Sequence, residues 1–348
     1  MTERSIIALV STPSGFAGRI GPIAVDSPRW ADTEPVNAAL ERLLGVPTSV
    51  LRLVSAEGGS SGSGGVVTYH VEAHGEPDRS RLHPAREPAD DAPRRLPWAR
   101  RGGPAELLAW ADAQVGRTGP AVQVKSWNLS SVHRLPTANG PVWLKAVPPF
   151  FADEAEVIAM VAEHDPGLVP EVIASAPRRV LLAAAPGEAC WDTRPEHVEE
   201  VVPRWVAVQH ALAGEPRVRR CPVPMPSFGL PDTLVHGDFH PGNWFSGGVV
   251  IDFSDAVWGH PALDAGRLVE FCRPDLRDHV AEVWSRAWLE LRPDSRPREA
   301  LDAARRAAHL LSAVQYQEFL DNVEDSERIY HEGDPERHLR AALELVTA

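Results

Sequence analysis

Between Leu234 and Phe253 the chain reads Leu234-Val235-His236-Gly237-Asp238-Phe239-His240-Pro241-Gly242-Asn243-Trp244, and then Val249-Val250-Ile251-Asp252-Phe253. Three oxygen-bearing side chains, Asp238, Asn243 and Asp252, fall within fifteen residues. The apolar run before Asp252 is how a buried strand would deliver one carboxylate to a metal. Phosphoryl transfer makes this demand: it needs little covalent help from a protein. It requires a carboxylate at the attacking hydroxyl and oxygen ligands for the magnesium that neutralises the phosphates. His236-x-Asp238-x-His240 also admits a metal site with imidazole ligands. That reading lacks the further histidines of a zinc hydrolase and makes the Asn243 and Asp252 spacing accidental.

The elements that must position these residues follow from periodicity. Val122–Leu135 and Pro141–Val147 read as strands around an Asn139-Gly140 turn, a strong hairpin signal. Asp153–Glu163 reads as a helix with Val157, Ile158 and Val161 inward. Two further strands, Val169–Ser175 and Arg179–Ala185, end at Pro186-Gly187. Beyond Pro195 the chain reads as mainly helical, with short strands at Thr233–Val235 and Val249–Asp252. Pro203 is expected to kink or restart the first helix. Amphipathic helices are expected at 275–291, 297–323 and 335–347.

Asp238 and Asn243 stand at the H-x-D-x-x-x-x-N spacing of a kinase catalytic loop. With H-G-D-x-x-x-x-N and the following I-D-F, the segment resembles the aminoglycoside phosphotransferase and choline kinase family. The resemblance runs from about Gln123 to Ala348. It implies an α+β, bilobal protein-kinase-like fold, with a small β-rich lobe, a large helical lobe, and use of ATP and Mg2+. Asp238 matches the catalytic aspartate, and Asn243 and Asp252 match the magnesium ligands. Lys145 matches the lysine on the α- and β-phosphates. It and Lys125 are the only lysines beside 33 arginines, so a lysine retained here is a mild hint that arginine would not serve. Glu154 matches the helix partner of Lys145, with Glu156 as competitor. Ala183 to Ala185 match the adenine hinge, and Ser130 and Ser131 lie where the family covers the phosphates. His236, His240 and Asp264 match support residues of the catalytic loop. No G-x-G-x-x-G occurs, nor does the family carry one.

The family binds its hydroxyl acceptor among the C-terminal helices, holding cationic antibiotics by carboxylates and choline by aromatic rings. Candidates here are Glu318, Asp321, Glu324 and Asp325, the aromatics Trp258, Trp284, Trp288, Tyr316 and Phe319, and Asp255. A charged run on a helix also reads as a solvated face. Three readings stay open. The first is an O-phosphotransferase for an antibiotic or related natural product. The second is a metabolic kinase for a sugar, amino sugar, amino alcohol or homoserine. The third is a binding protein without turnover.

The expected domains are a cap and linker at 1–103, the small lobe at 104–187 and the helical lobe at 188–348. In the cap, Pro35–Leu44 reads as a helix, and Ser49–Ala56 and Val66–Ala73 as strands. Gly58 to Gly62 matches G-x-S-x-G, but a nucleophile elbow runs from strand into helix and here a strand follows. Residues 79–101, with seven arginines against three acids, read as an irregular linker.

The chain has 348 residues, 43% hydrophobic and 24% charged, with a net charge of −13. These are globular values, and the acidity disfavours nucleic acid and anionic lipid as partners. It weakly favours a cationic or neutral acceptor. Three cysteines without C-x-x-C spacing fit a reducing compartment. The expected location is the cytoplasm, as a monomer or homodimer, without a membrane span.

Overall fold

A computed structural model describes residues 4–89 and 91–347. The chain forms two compact units, one running to Pro148 and including Glu318–Glu332, the other comprising Pro149–Gln317 and the chain from Gly333.

In the first unit, β1 (Arg4–Thr12), β2 (Gly15–Val25), α1 (Glu34–Leu44), β3 (Thr48–Glu57) and β4 (Gly65–Ala73) form the cap. The sheet order is β2-β1-β4-β3, with β1 and β4 parallel and the other pairs antiparallel. Val36, Leu40 and Leu44 of α1 share a core with Ile6, Ala8, Val10, Val67, Tyr69 and Val71. The connection between β3 and β4 is a hairpin closed by mutual Ser60 and Ser63 backbone bonds of 3.0 Å, so the G-x-S-x-G match is a turn. α2 (Gly103–Asp112) begins with Pro104 in its first turn and buries Leu107 and Ala111.

β5 (Val122–Ser126), β6 (Ser131–Thr137) and β7 (Gly140–Ala146) form an antiparallel meander. The expected strand at 122–135 is thus two strands, broken where Trp127 N–H donates to the Ser130 carbonyl at 3.0 Å. The first unit also continues across residue 103. The Gln123 amide accepts from Val50 N–H and donates to Val50 O, both at 2.9 Å, which joins β5 to the cap sheet.

The segment expected to be a linker is not wholly at the surface. Trp98 is buried, and Arg95 donates to Glu324 at 2.8 Å with both side chains buried. Arg52 lies 3.6 Å from the same carboxylate. Residues 318–332 are thereby built into the cap unit. Leu53 N–H donates to Glu327 Oε1 at 3.0 Å, and Tyr330 meets Trp30 and Trp127 edge-on at 5.6 and 5.5 Å.

Glu327 has its carboxyl pushed up to about 8 by burial and by the charge of Glu324, against the Leu53 amide and the charges of Arg52 and Arg95. A carboxyl raised in this way holds its proton more tightly folded than unfolded. Stability is therefore greatest below the unfolded value of 4.5 and falls as pH rises towards 8. Glu327→Gln keeps an acceptor for Leu53. It is expected to flatten this dependence and to be more stable than wild type at pH 8, read from denaturant midpoints across pH.

The second unit starts with α3 (Glu154–Ala162) and the hairpin of β8 (Val172–Ala176) and β9 (Arg179–Ala183). α4 (Pro195–Ala211) runs unbroken through Pro203. Then come β10 (Thr233–Val235), β11 (Trp244–Phe245), β12 (Val249–Val250) and β13 (Val257–Gly259). α5 (Ala262–Phe271), α6 (Arg277–Leu291), α7 (Pro297–Asn322) and α8 (Asp334–Thr347) follow. The last three match the amphipathic helices read from sequence. His210 of α4 meets Trp288 of α6 edge-on at 6.2 Å, and Val201, Trp205 and Trp284 of the same two helices are buried. Gly266 lets α5 cross α7 closely, since a Cβ there would lie 2.7 Å from Ala304 O. Among the described residues no helix is long and apolar enough to cross a membrane.

Candidate active site

The loop after β10 is held at both ends. β10 pairs antiparallel with β13, Leu234 opposite Trp258, and β11 pairs with β12. Asn243 N–H donates to His240 O, and Ile251 N–H donates to Asn243 O, both at 2.9 Å. Residues 236–252 are thereby folded back on themselves. Gly237 has φ +86°, and a Cβ there would lie 2.3 Å from Asp255 O, so the turn into Asp238 needs glycine.

Asp264, buried on α5, anchors this loop from beneath. Its Oδ2 accepts from His236 N–H at 2.9 Å, Trp205 Nε1 at 2.9 Å and Gln209 Nε2 at 3.1 Å, and its Oδ1 from Gly237 N–H at 3.1 Å. Burial raises its carboxyl, partly opposed by His236 and these bonds.

Asp238 N–H donates to His236 Nδ1 at 3.3 Å, so its Nε2–H donates to Ile251 O at 3.0 Å. Burial lowers the pKa of this imidazole. A neutral ring with both nitrogens engaged is a strut. His240 is fixed likewise: Gly242 N–H donates to its Nδ1 at 3.0 Å, which leaves Nε2–H for Asp238 Oδ2 at 3.2 Å.

Asp238 therefore sits in a set of donors. Arg267 of α5 grips Oδ1 with Nε at 3.1 Å and a terminal nitrogen at 2.9 Å. The Asn243 amide donates to the Asp238 carbonyl at 3.0 Å and more weakly to Oδ2 at 3.4 Å. Burial alone would raise this carboxyl, but the bond from His240 and the charge of Arg267 outweigh it and hold the group well below the usual carboxylate range. An ionised carboxylate this stable is a good acceptor for a hydroxyl and a weak base towards it.

Asp252 stands in the left-handed region, φ 67° and ψ 60°, an uncommon conformation concentrated at functional sites. Beyond it, Phe253 N–H and Ser254 Oγ donate to the Glu154 carboxylate at 3.2 and 3.5 Å. Glu154 is buried at the start of α3 whereas Glu156 is exposed.

Ala183 ends β9, and Ala183 and Ala185 are half-buried. The following segment is tied to the β11–β12 hairpin by Glu188 N–H on Ser246 Oγ at 3.0 Å and Cys190 N–H on Trp244 O at 2.9 Å. Lys145 is half-buried on β7, opposite Val132.

Other expected positions are corrected. Ser130 Oγ accepts from Trp127 Nε1 at 2.9 Å, and Ser131 is wholly buried on β6. Trp258 is core, 2% exposed on β13. Glu324 is consumed by Arg95 and Arg52. Glu318 and Asp321 lie at the end of α7 and Asp325 just beyond it, in the stretch that belongs with Glu324 to the first unit. Asp255 is half-buried and accepts from Gln315 Nε2 at 3.4 Å. Sequence reading missed Arg267, one helical turn beyond Asp264, and its only signal was that spacing.

A sequence model described as "Phosphotransferase enzyme family" matches residues 129–302, half of the chain. The chain belongs to that family. It is a small-molecule phosphotransferase with a hydroxyl acceptor. No curated protein sequence matches this phosphotransferase. Among solved structures, choline kinase LicA from Streptococcus pneumoniae is 11% identical, with a TM-score of 0.54, covering 70% of this chain and 99% of its own. That likeness gives the protein-kinase-like α+β fold. A choline/ethanolamine kinase family protein from Mesorhizobium loti is 17% identical (TM-score 0.49; 70% and 95% covered). Macrolide 2'-phosphotransferase MphH from Brachybacterium faecium is 15% identical (TM-score 0.46; 69% and 97% covered).

Proposed function

We propose that this phosphotransferase moves the γ-phosphate of ATP to a hydroxyl of a small molecule, with Asp238 orienting that hydroxyl and Asn243 and Asp252 holding Mg2+. The observation that carries the reading is the Asp238 carboxylate, kept ionised by Arg267 and His240 and backed by Asn243. Asp238 accepts the hydrogen bond of the attacking hydroxyl. As the oxygen bonds to phosphorus, the bond to the bridging oxygen breaks, its electron pair leaves on ADP, and the proton passes by way of Asp238 to solvent.

The donor set suits magnesium. The Asn243 amide nitrogen is spent on Asp238, which leaves Oδ1 as the ligand atom, and Asp252 supplies a second oxygen. Among the described residues no group of three or more His, Cys, Asp and Glu side chains could hold a metal. A short protein ligand set is what Mg2+ takes when phosphates complete its shell. When bound, the ion would neutralise charge on the phosphates. Lys145 is assigned to the α- and β-phosphates, Glu154 to its partner, and Ala183 and Ala185 to the adenine hinge. His236, His240 and Asp264 hold the loop. Asp252→Ala is expected to abolish magnesium-dependent nucleotide binding in calorimetry; unchanged binding would contradict the assignment.

From sequence, the acidic run Glu318, Asp321, Glu324 and Asp325 is one that would suit a polyamine acceptor. Glu324 is buried in an ion pair and is withdrawn from that set, and the acceptor is argued from groups beside Asp238.

A further inference from the structure

We infer that an aromatic shelf beside Asp238 is the acceptor subsite, and that it takes an uncharged polyhydroxyl ring of the pyranose type rather than a polyamine or a quaternary ammonium. This rests on the phosphotransferase reading above and goes on to name the acceptor class.

Trp191 is 57% exposed, an unusual state for the largest apolar side chain. Its ring lies 5.9 Å from His240 and 6.1 Å from Phe271, which is itself 37% exposed. His240 and Phe271 stack at 4.1 Å with 14° between planes. The same His240 donates to Asp238, so the shelf runs without a gap to the catalytic carboxylate. The loop is shaped to seat the indole: a Cβ on Gly242 would lie 2.6 Å from Trp191 Cη2.

The charges around the shelf favour a neutral guest. A polyamine needs unspent carboxylates, and four of those in this unit have cations of their own. Asp238 holds Arg267, Asp192 holds Arg273, Glu270 holds Arg305 and Asp334 holds Arg337. A quaternary ammonium needs an aromatic face clear of other cations. Here the Arg267 guanidinium already sits 5.5 Å from the Phe271 centroid, and would repel one. What remains is a flat apolar face flanked by fixed donors. A sugar ring matches it by laying axial C–H groups on the indole while its hydroxyls meet the polar edge. One of those hydroxyls would then reach Asp238.

The test is a coupled assay of ADP release, with product mass spectrometry, on the full chain with MgATP. The acceptors are neutral hexoses and disaccharides, aminoglycosides, and choline. Trp191→Ala and Trp191→Phe are run beside wild type, and ADP affinity is measured separately by calorimetry. The expected result is turnover of a neutral sugar, with KM raised about tenfold in Trp191→Ala and mostly restored in Trp191→Phe. Turnover only of aminoglycosides or choline, or a sugar KM indifferent to Trp191→Ala, would overturn the subsite and leave the phosphotransferase reading intact. Failure to bind ADP with magnesium would overturn the reading beneath it, and the subsite with it.

Discussion

Asp238→Asn is expected to lower kcat about a thousandfold, the scale of a lost acid–base or orienting group, while nucleotide affinity stays within about twofold. The substitution keeps size and shape but removes the charge. It also turns an NH2 towards one of two donors already in place, Arg267 at 2.9 Å or the His240 and Asn243 pair at 3.2 and 3.4 Å. On the proposed mechanism the carboxylate is the group that meets the hydroxyl, so the loss should fall on kcat. Asp264 and His236 hold the backbone independently of that charge, so the loop should keep its shape. Single-turnover rates with ADP calorimetry would check this, and a kcat within tenfold of wild type would move the catalytic role elsewhere.

The second large effect concerns stability. Glu324→Ala is expected to destabilise the protein by about 3–5 kcal/mol, because it strands buried cations. Arg95 and Arg52 are 4% and 2% exposed and converge on this carboxylate at 2.8 and 3.6 Å. Both also donate to Ala89 O at 2.6 Å, which satisfies hydrogen bonds but not charge. Replacing the whole cluster by apolar residues need not cost as much, since burying the ions is itself unfavourable. Urea midpoints for Glu324→Ala and Glu324→Gln would measure it. A loss under about 1 kcal/mol in both would mean the cluster is better hydrated than its burial indicates.

These two residues show what the sequence could and could not carry. The pairing of Asp238 with Asn243 was legible because the proposed reaction needs certain atom types at fixed spacing, and one contiguous loop supplies them. The helices from Arg277 onward were legible because a face buried along a helix imprints its period. Glu324 was not. A carboxylate on an exposed substrate helix and one pairing buried arginines look alike in a charge run, and the partner Arg95 lies far off in sequence. β1 and β2 were missed for local reasons. β1 offers apolar residues on both faces, and β2 carries Gly15, Gly18, Gly21 and Pro22, which erase strand propensity. The break at Trp127–Ser130 was hidden because apolar and polar residues alternate through it. Arg267 and Trp191 became visible only as neighbours of Asp238 and His240, a relation that packing alone creates.

The most direct measurement is to incubate the full chain with ATP, Mg2+ and a hydroxylated acceptor panel, and to identify the product by mass spectrometry. The account predicts one acceptor class carrying a single added phosphoryl group, matched by an equal amount of ADP and absent with Asp238→Asn. ADP release that leaves every acceptor unmodified, or a phosphorylated product that persists undiminished in Asp238→Asn, would contradict it.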